Sequence, residues 1–126
     1  MIRVVCAIIE FNSRTLVVQR SEKMSLPLKW EFPGGKIEND ESEEECILRE
    51  IKEELNLEIA ISKKLNSSIF DYPNISIELI PFIAKQVGDK IRLNEHKDFK
   101  YLAKQELLNL DWAEADILVV KEYLNL

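Results

Sequence analysis

Apolar residues fall mostly into short β-branched runs along this chain, and at helical spacing in two longer stretches. Ile2 to Glu10 and Thr15 to Arg20 are such runs, parted by Phe11-Asn-Ser-Arg14, which is the pattern of a hairpin. A polar loop broken by Pro27 follows from Ser21 to Lys29, and Trp30 to Phe32 is a short strand entering a Pro33-Gly34-Gly35 turn. Beyond the first helical stretch, Leu57 to Ile61 and Lys64 to Phe70 read as strands, and Tyr72-Pro-Asn74 as a turn. Ile75 to Lys85 is a long strand whose internal Pro81 marks an edge or a bulge. Val87-Gly-Asp89 turns into a short strand at Lys90 to Leu93, and another lies at Phe99 to Leu102. A helical turn is expected from Gln105 to Asn109. A terminal helix runs from about Ala113 to Leu124, with Ile117, Val120 and Leu124 on its inner face. The pattern predicts an α/β fold, a mixed sheet between two helices, in one domain over residues 1–126.

The first helical stretch begins near Asp40 or Ser42 and carries two distinct arcs. Ile47, Leu48, Ile51 and Leu55 form the packing arc. Glu50, Glu53 and Glu54 stand at i, i+3 and i+4 and leave a separate face together. Like charges so spaced cost a helix a few tenths of a kcal/mol per pair unless something positive offsets them. A hard divalent cation would do so, because carboxylate oxygens are the ligands that Mg²⁺ and Mn²⁺ prefer. A solvated acidic face is the alternative.

Composition narrows the remaining classes. A formal net charge of −6 argues against broad nucleic-acid binding, which wants a basic surface. The N-terminal run lacks the length and cleavage site of a signal peptide, and no apolar stretch is long enough for a membrane span. Cys6 and Cys46 have neither CxxC nor metal-ligand spacing and read as reduced packing residues, so the expected setting is cytoplasmic.

The stretch from Gly35 to Leu57 resembles the Nudix box, G-x5-E-x7-R-E-U-x-E-E-x-G-U, of the Nudix hydrolases. Gly35, Glu41, Arg49, Glu50, Ile51, Glu53, Glu54 and Leu57 match it position for position. The box's second glycine is Asn56 here, and asparagine is the next most tolerant residue of a left-handed helix cap. The resemblance extends over nearly the whole chain and is strongest to the MutT-like and CTP pyrophosphohydrolase branch. It implies an α/β/α sandwich and a Mg²⁺-dependent enzyme, with Mn²⁺ able to substitute. The implied reaction hydrolyses a nucleoside triphosphate to a monophosphate and diphosphate.

By that resemblance Glu53 and Glu54 ligate the metal, with the Gly35 carbonyl adding an oxygen. Glu50 is either a ligand or the general base, and Arg49 orients Glu50 or pairs with Glu41. Glu95, in the polar loop Asn94-Glu-His-Lys97, supplies a further ligand or catalytic carboxylate, whereas His96 reads as a surface residue. Around the substrate, Gly34 lies in the turn and Lys36 follows it where a phosphate is expected, although Lys36 equally fits an exposed lysine. Arg20 leaves its strand near the cleft, and Phe32 is placed either to stack on a base or to fill the core. Asp116 occupies the position that reads the base edge; otherwise it caps the last helix. An ionised carboxylate accepts only, which suits the amine of cytosine. An oxidised guanine nucleotide stays open if burial makes Asp116 a donor.

The expected partner is therefore a small nucleotide, with no nucleic acid and no membrane, for a monomer or homodimer. The substrates implied are CTP, dCTP or 5-substituted dCTP, or oxidised purine nucleotides in a pool-sanitising role, including 8-oxo-dGTP. Two alternatives are a hydrolase of ADP-ribose or another nucleoside diphosphate derivative, and a non-catalytic Nudix module that binds a nucleotide or a protein. Such modules tend to lose the carboxylates that Glu50, Glu53 and Glu54 retain here.

Overall fold

A computed structural model describes residues 1–126. In chain order the elements are β1 (Ile2–Phe11), β2 (Arg14–Gln19), β3 (Trp30–Glu31), β4 (Gly34–Lys36), α1 (Glu43–Leu55), β5 (Glu58–Lys64), β6 (Ser68–Tyr72), β7 (Ile75–Val87), β8 (Asp98–Leu102), a 3-10 turn (Lys104–Asn109) and α2 (Glu114–Leu124). The strands form one mixed sheet with β1 and β7 parallel at its centre. The other pairings are antiparallel.

Alternation along the central strands separates two cores. Val5, Ala7 and Ile9 of β1 face α1 together with Ile80, Phe82 and Ala84 of β7, against Cys46, Ile47, Ile51 and Leu55 of the helix. The intervening Cys6 and Ile8, with Leu79 and Ile83, face the other way onto Ala115, Val119, Val120 and Tyr123 of α2. This is the expected α/β/α sandwich. Burying each large aliphatic on the α1 arc contributes about 1.5–3 kcal/mol.

Several expected details differ. Leu48, expected on the packing arc of α1, is 43% exposed; Cys46 takes that place. On α2 the inward residues are Ala115, Asp116, Val119, Val120 and Tyr123, one position out of step with Ile117 and Leu124, which are only partly buried. Pro81 lies neither at an edge nor in a bulge: β7 is central, and the proline sits where its antiparallel partner changes from β6, ending at Leu79, to β5, starting at Phe82. The handover is a gap in the ladder where a missing N–H does little harm. Lys90 to Leu93 forms no strand. Its backbone instead bonds the end of α1, Arg92 N–H to Leu55 O at 2.9 Å and Asn94 N–H to Glu54 O at 3.0 Å. The open carbonyls of a helix C-terminus compete there with any strand partner. No helix is long and apolar enough to cross a membrane.

Candidate active site

The helix α1 starts where its sequence provides a cap. Ser42 Oγ accepts the Glu45 N–H at 3.0 Å, and the Glu45 side chain accepts the Ser42 N–H at 2.9 Å. At the other end Asn56 adopts φ 57°, the left-handed conformation expected of it, and donates its N–H to Lys52 O. The helix is thereby fixed against β4, whose three residues pair with Val4 to Cys6 of β1. Gly34 and Gly35, expected as a turn, are part of this strand.

Close approach explains both glycines. A Cβ on Gly34 would stand 1.9 Å from Val5 O, and one on Gly35 would stand 2.4 Å from Glu50 Cδ. The carboxylate of Glu50 thus rests against the Gly35 backbone. Arg49 organises the acidic face from below. Its Nε and Nη2 grip both oxygens of Glu41 at 2.7 and 2.8 Å, and its Nη1 donates to Glu50 at 2.9 Å and Glu53 at 3.2 Å. Arg49 thus contacts Glu41 and Glu50 at once, the two pairings expected as alternatives. The guanidinium holds Glu41 down at about pKa 2, while burial raises Glu50.

Glu54 is the most perturbed carboxyl of the helix. Its Oε1 accepts the Gly34 N–H at 3.2 Å, and burial pushes its pKa up to about 8, with the charges of Glu50, Glu31 and Glu95 adding to the rise. No three acidic or imidazole groups converge on one point, since Glu50 and Glu53 are drawn onto Arg49. The donor set nevertheless fits a hard cation: it is all oxygen, and its Glu54 carboxyl lines a cavity together with Gly35.

Glu54 opens onto a cavity of about 360 Å³ whose wall includes Arg20, Phe32, Gly34, Gly35, Lys36 and Asp116. A recess of about 570 Å³ beside it is bounded by Ser21 to Met24 and by Asn94 and Glu95. A third, of about 590 Å³, lies at the far end of β1 against Tyr123 and contains none of the carboxylates of the box. Asp116 reaches the cavity because Trp30 is bracketed by the backbone of Asp111 and Ala113, at 2.9 and 2.8 Å. That pins the start of α2 beside β3, and Asp116 Oδ2 accepts the Phe32 N–H at 2.9 Å. Burial pushes the Asp116 pKa up to about 8, with Glu31 adding, which favours the protonated form that donates as well as accepts.

Other substrate candidates are more committed than expected. Arg20 donates to Glu31 Oε1 at 2.8 Å, to Ser25 O at 2.6 Å and to Ser25 Oγ at 2.9 Å. Phe32 is buried with its ring 4.9 Å from that of Trp112, and its backbone makes the polar contact to Asp116. Lys36 is exposed.

The expectation of a surface His96 is wrong: its side chain is 0% exposed, and its Nε2 bonds Glu31 Oε2 at 2.8 Å. Glu31, in the cavity wall, and His96, buried against it, are polar residues that the sequence pattern did not place near the site. A glutamate between two core aromatics, Trp30 and Phe32, was the available signal, because alternation sends it to the opposite face of its strand. No spacing pattern pointed to His96.

Comparison with known proteins agrees with this architecture. The NUDIX domain family model matches residues 1–123. The chain is 31% identical to the CTP pyrophosphohydrolase of Escherichia coli K12 over 126 residues, covering all of this chain and 93% of that one. It is 32% identical to the 8-oxo-dGTP diphosphatase of Proteus vulgaris over 75 residues, covering 60% of this chain and 67% of that one. The solution structure of a MutT protein of the Nudix hydrolase family from methicillin-resistant Staphylococcus aureus 252 is 40% identical. It superimposes with a TM-score of 0.79 over 98% of this chain and 95% of that one. With its acidic helix, glycine strand and sandwich matched across nearly the full length, the chain belongs to the Nudix hydrolase family.

Proposed function

We propose that this protein is a Mg²⁺-dependent nucleoside triphosphate pyrophosphohydrolase acting on cytosine nucleotides, CTP, dCTP or 5-substituted dCTP, as a nucleotide-pool enzyme. The observation that carries the reading is one cavity with the α1 carboxyl Glu54 and the Gly34–Lys36 strand in its wall together with a buried Asp116. A triphosphate fits the acidic side only with a cation between them, since substrate and protein are both negative. Glu53, Glu54 and the Gly35 carbonyl, with Glu50 or Glu95 as further oxygens, would hold Mg²⁺. When bound, the metal neutralises phosphoryl charge and acidifies a water. Glu50, raised by burial and oriented by Arg49, accepts the proton of the attacking water. Glu41 anchors Arg49, and Lys36 offers a cation to the outer phosphates.

A neutral Asp116 presents one O–H donor beside a carbonyl acceptor. Cytosine answers with N3 and its amine. The relative named for CTP, aligned over the whole chain, supports that choice. The same donor–acceptor pair also meets O6 and N7–H of an oxidised guanine, which supports 8-oxo-dGTP as a second substrate reading.

A diphosphate-release assay with Mg²⁺ against CTP, dCTP, 5-methyl-dCTP, 8-oxo-dGTP, dGTP, ATP and ADP-ribose tests the proposal. Cytosine nucleotides are expected to lead in kcat/KM. A lead for 8-oxo-dGTP would move the function to oxidised-purine hydrolysis, and no turnover of any of them by folded protein would end the enzymatic reading.

A further inference from the structure

The recess of about 590 Å³ at the far end of β1 has no part in the chemistry described so far. Strand register builds its floor. Glu10 stands opposite Thr15 on β2 and Lys85 on β7, so all three leave the sheet face that carries Cys6, Ile8 and Ile83 toward α2. Tyr123 of α2 closes that floor. It is 1% exposed, its hydroxyl donates to Glu10 Oε2, and it stands 3.2 Å from Thr15 Oγ1. The Lys104 ammonium lies 4.7 Å from the centre of the same ring, a cation–π contact that holds the group without neutralising it.

Cations therefore reach the rim from three separate elements: Arg14 from the start of β2, Lys85 from β7 and Lys104 from the 3-10 turn. All three are exposed, and none makes an ion pair. Glu10 is the only carboxylate in the wall, and Tyr123 already engages it. The local excess is positive on a chain whose net charge is −6. Like charges gathered around one recess repel each other unless an anion lies between them. Ammonium and guanidinium groups suit phosphate oxygens, and three of them arriving from different sides suit an anion of several charges. An extended polyanion would run onto the acidic remainder of the surface, so the match is to a small one.

We propose that the recess between Arg14, Lys85 and Lys104 is a second ligand site, which takes a small polyphosphate anion, either free diphosphate or the phosphate chain of a nucleotide. Here the protein supplies the positive charge itself, so binding needs no metal. That separates the recess from the catalytic cavity, where carboxylates face the phosphates.

The test is calorimetric titration of metal-stripped protein at low salt and neutral pH, with diphosphate in one series and CTP in another. Wild type is compared with Lys85→Gln/Lys104→Gln and with Lys36→Gln/Lys63→Gln, which loses the same charge elsewhere, and a melting temperature confirms that each is folded. The recess pair is expected to weaken binding by at least about tenfold and the control pair by no more than about threefold. Equal affinity for diphosphate and CTP would assign the site to the phosphates alone, and tighter CTP would assign it to a nucleotide. Absence of binding of either by wild type, or equal weakening in the two pairs, would overturn the proposal.

Discussion

Three acidic side chains, Glu53 of α1 and Glu54 and Asp116 of the cavity wall, differ in burial, and their expected behaviour differs with it. Glu53 is more than half exposed and bonded to Arg49, whereas Glu54 is mostly buried and raised to about pKa 8. Replacement of either by glutamine should lower kcat by at least about a hundredfold, as loss of other transition-state charge stabilisers does. The fold should persist, checked by an unchanged circular dichroism spectrum. Wild-type turnover in either variant would remove the metal-site argument. Asp116→Asn tests the base contact. The wild-type carboxyl changes from donor and acceptor to acceptor alone as pH passes about 8, so the ratio of kcat/KM for dCTP over 8-oxo-dGTP should vary across that range. The amide of the variant does not titrate, and its ratio should stay flat. Parallel pH profiles for the two proteins would assign Asp116 a structural role only. The position of Asp116 was legible in the sequence, but its protonation was not. That state comes from α2 burial and from Glu31, and its backbone partner lies 84 residues away.

Among the elements, β4 gives the clearest separation of stability from activity. In Gly34→Ala the new methyl would meet the backbone of Val5, which cannot move without breaking the β1–β4 pairing. A loss of at least about 1–3 kcal/mol in urea unfolding is expected, as for other overpacked sites. In Gly35→Ala the obstructing atoms are the carboxylate end of Glu50, a flexible group. Stability should change little, while displacement of Glu50 by about 1 Å should lower kcat by up to about a hundredfold. Equal stability losses in both variants would contradict this division. The elements that local chemistry dictates, such as the capped α1 and its Asn56 terminus, were readable from sequence. Those decided by distant partners were not. Lys90 to Leu93 is claimed by the end of α1, Pro81 sits at a strand handover, and the buried His96 lies in a loop that Glu54 and Gln19 tether.

Across the whole molecule two sets of carboxyls set opposite dependences on pH. Glu41 is held down to about pKa 2 by Arg49, and Glu43 is lowered by Lys64 and Arg3. Their contribution is present above the ordinary value of 4.5 and is lost as pH falls through their folded values. Glu54 and Asp116 are raised to about 8 from 4.5 and 3.8. The folded state holds their protons where the unfolded chain has released them, so their contribution is full below about pH 4 and declines as pH rises toward 8. Metal-free protein should therefore be most stable at mildly acidic pH and should lose melting temperature from about pH 5 to 8. A bound cation favours the ionised form of Glu54 and need not displace a proton once that group has lost its own. Mg²⁺ should consequently raise the melting temperature more at pH 8.5 than at pH 6, on either side of the Glu54 value of about 8. Glu54→Gln should remove most of that difference, because the amide has no proton to exchange for the metal. An equal Mg²⁺ shift at the two pH values in wild type would detach the buried charge of Glu54 from cation binding.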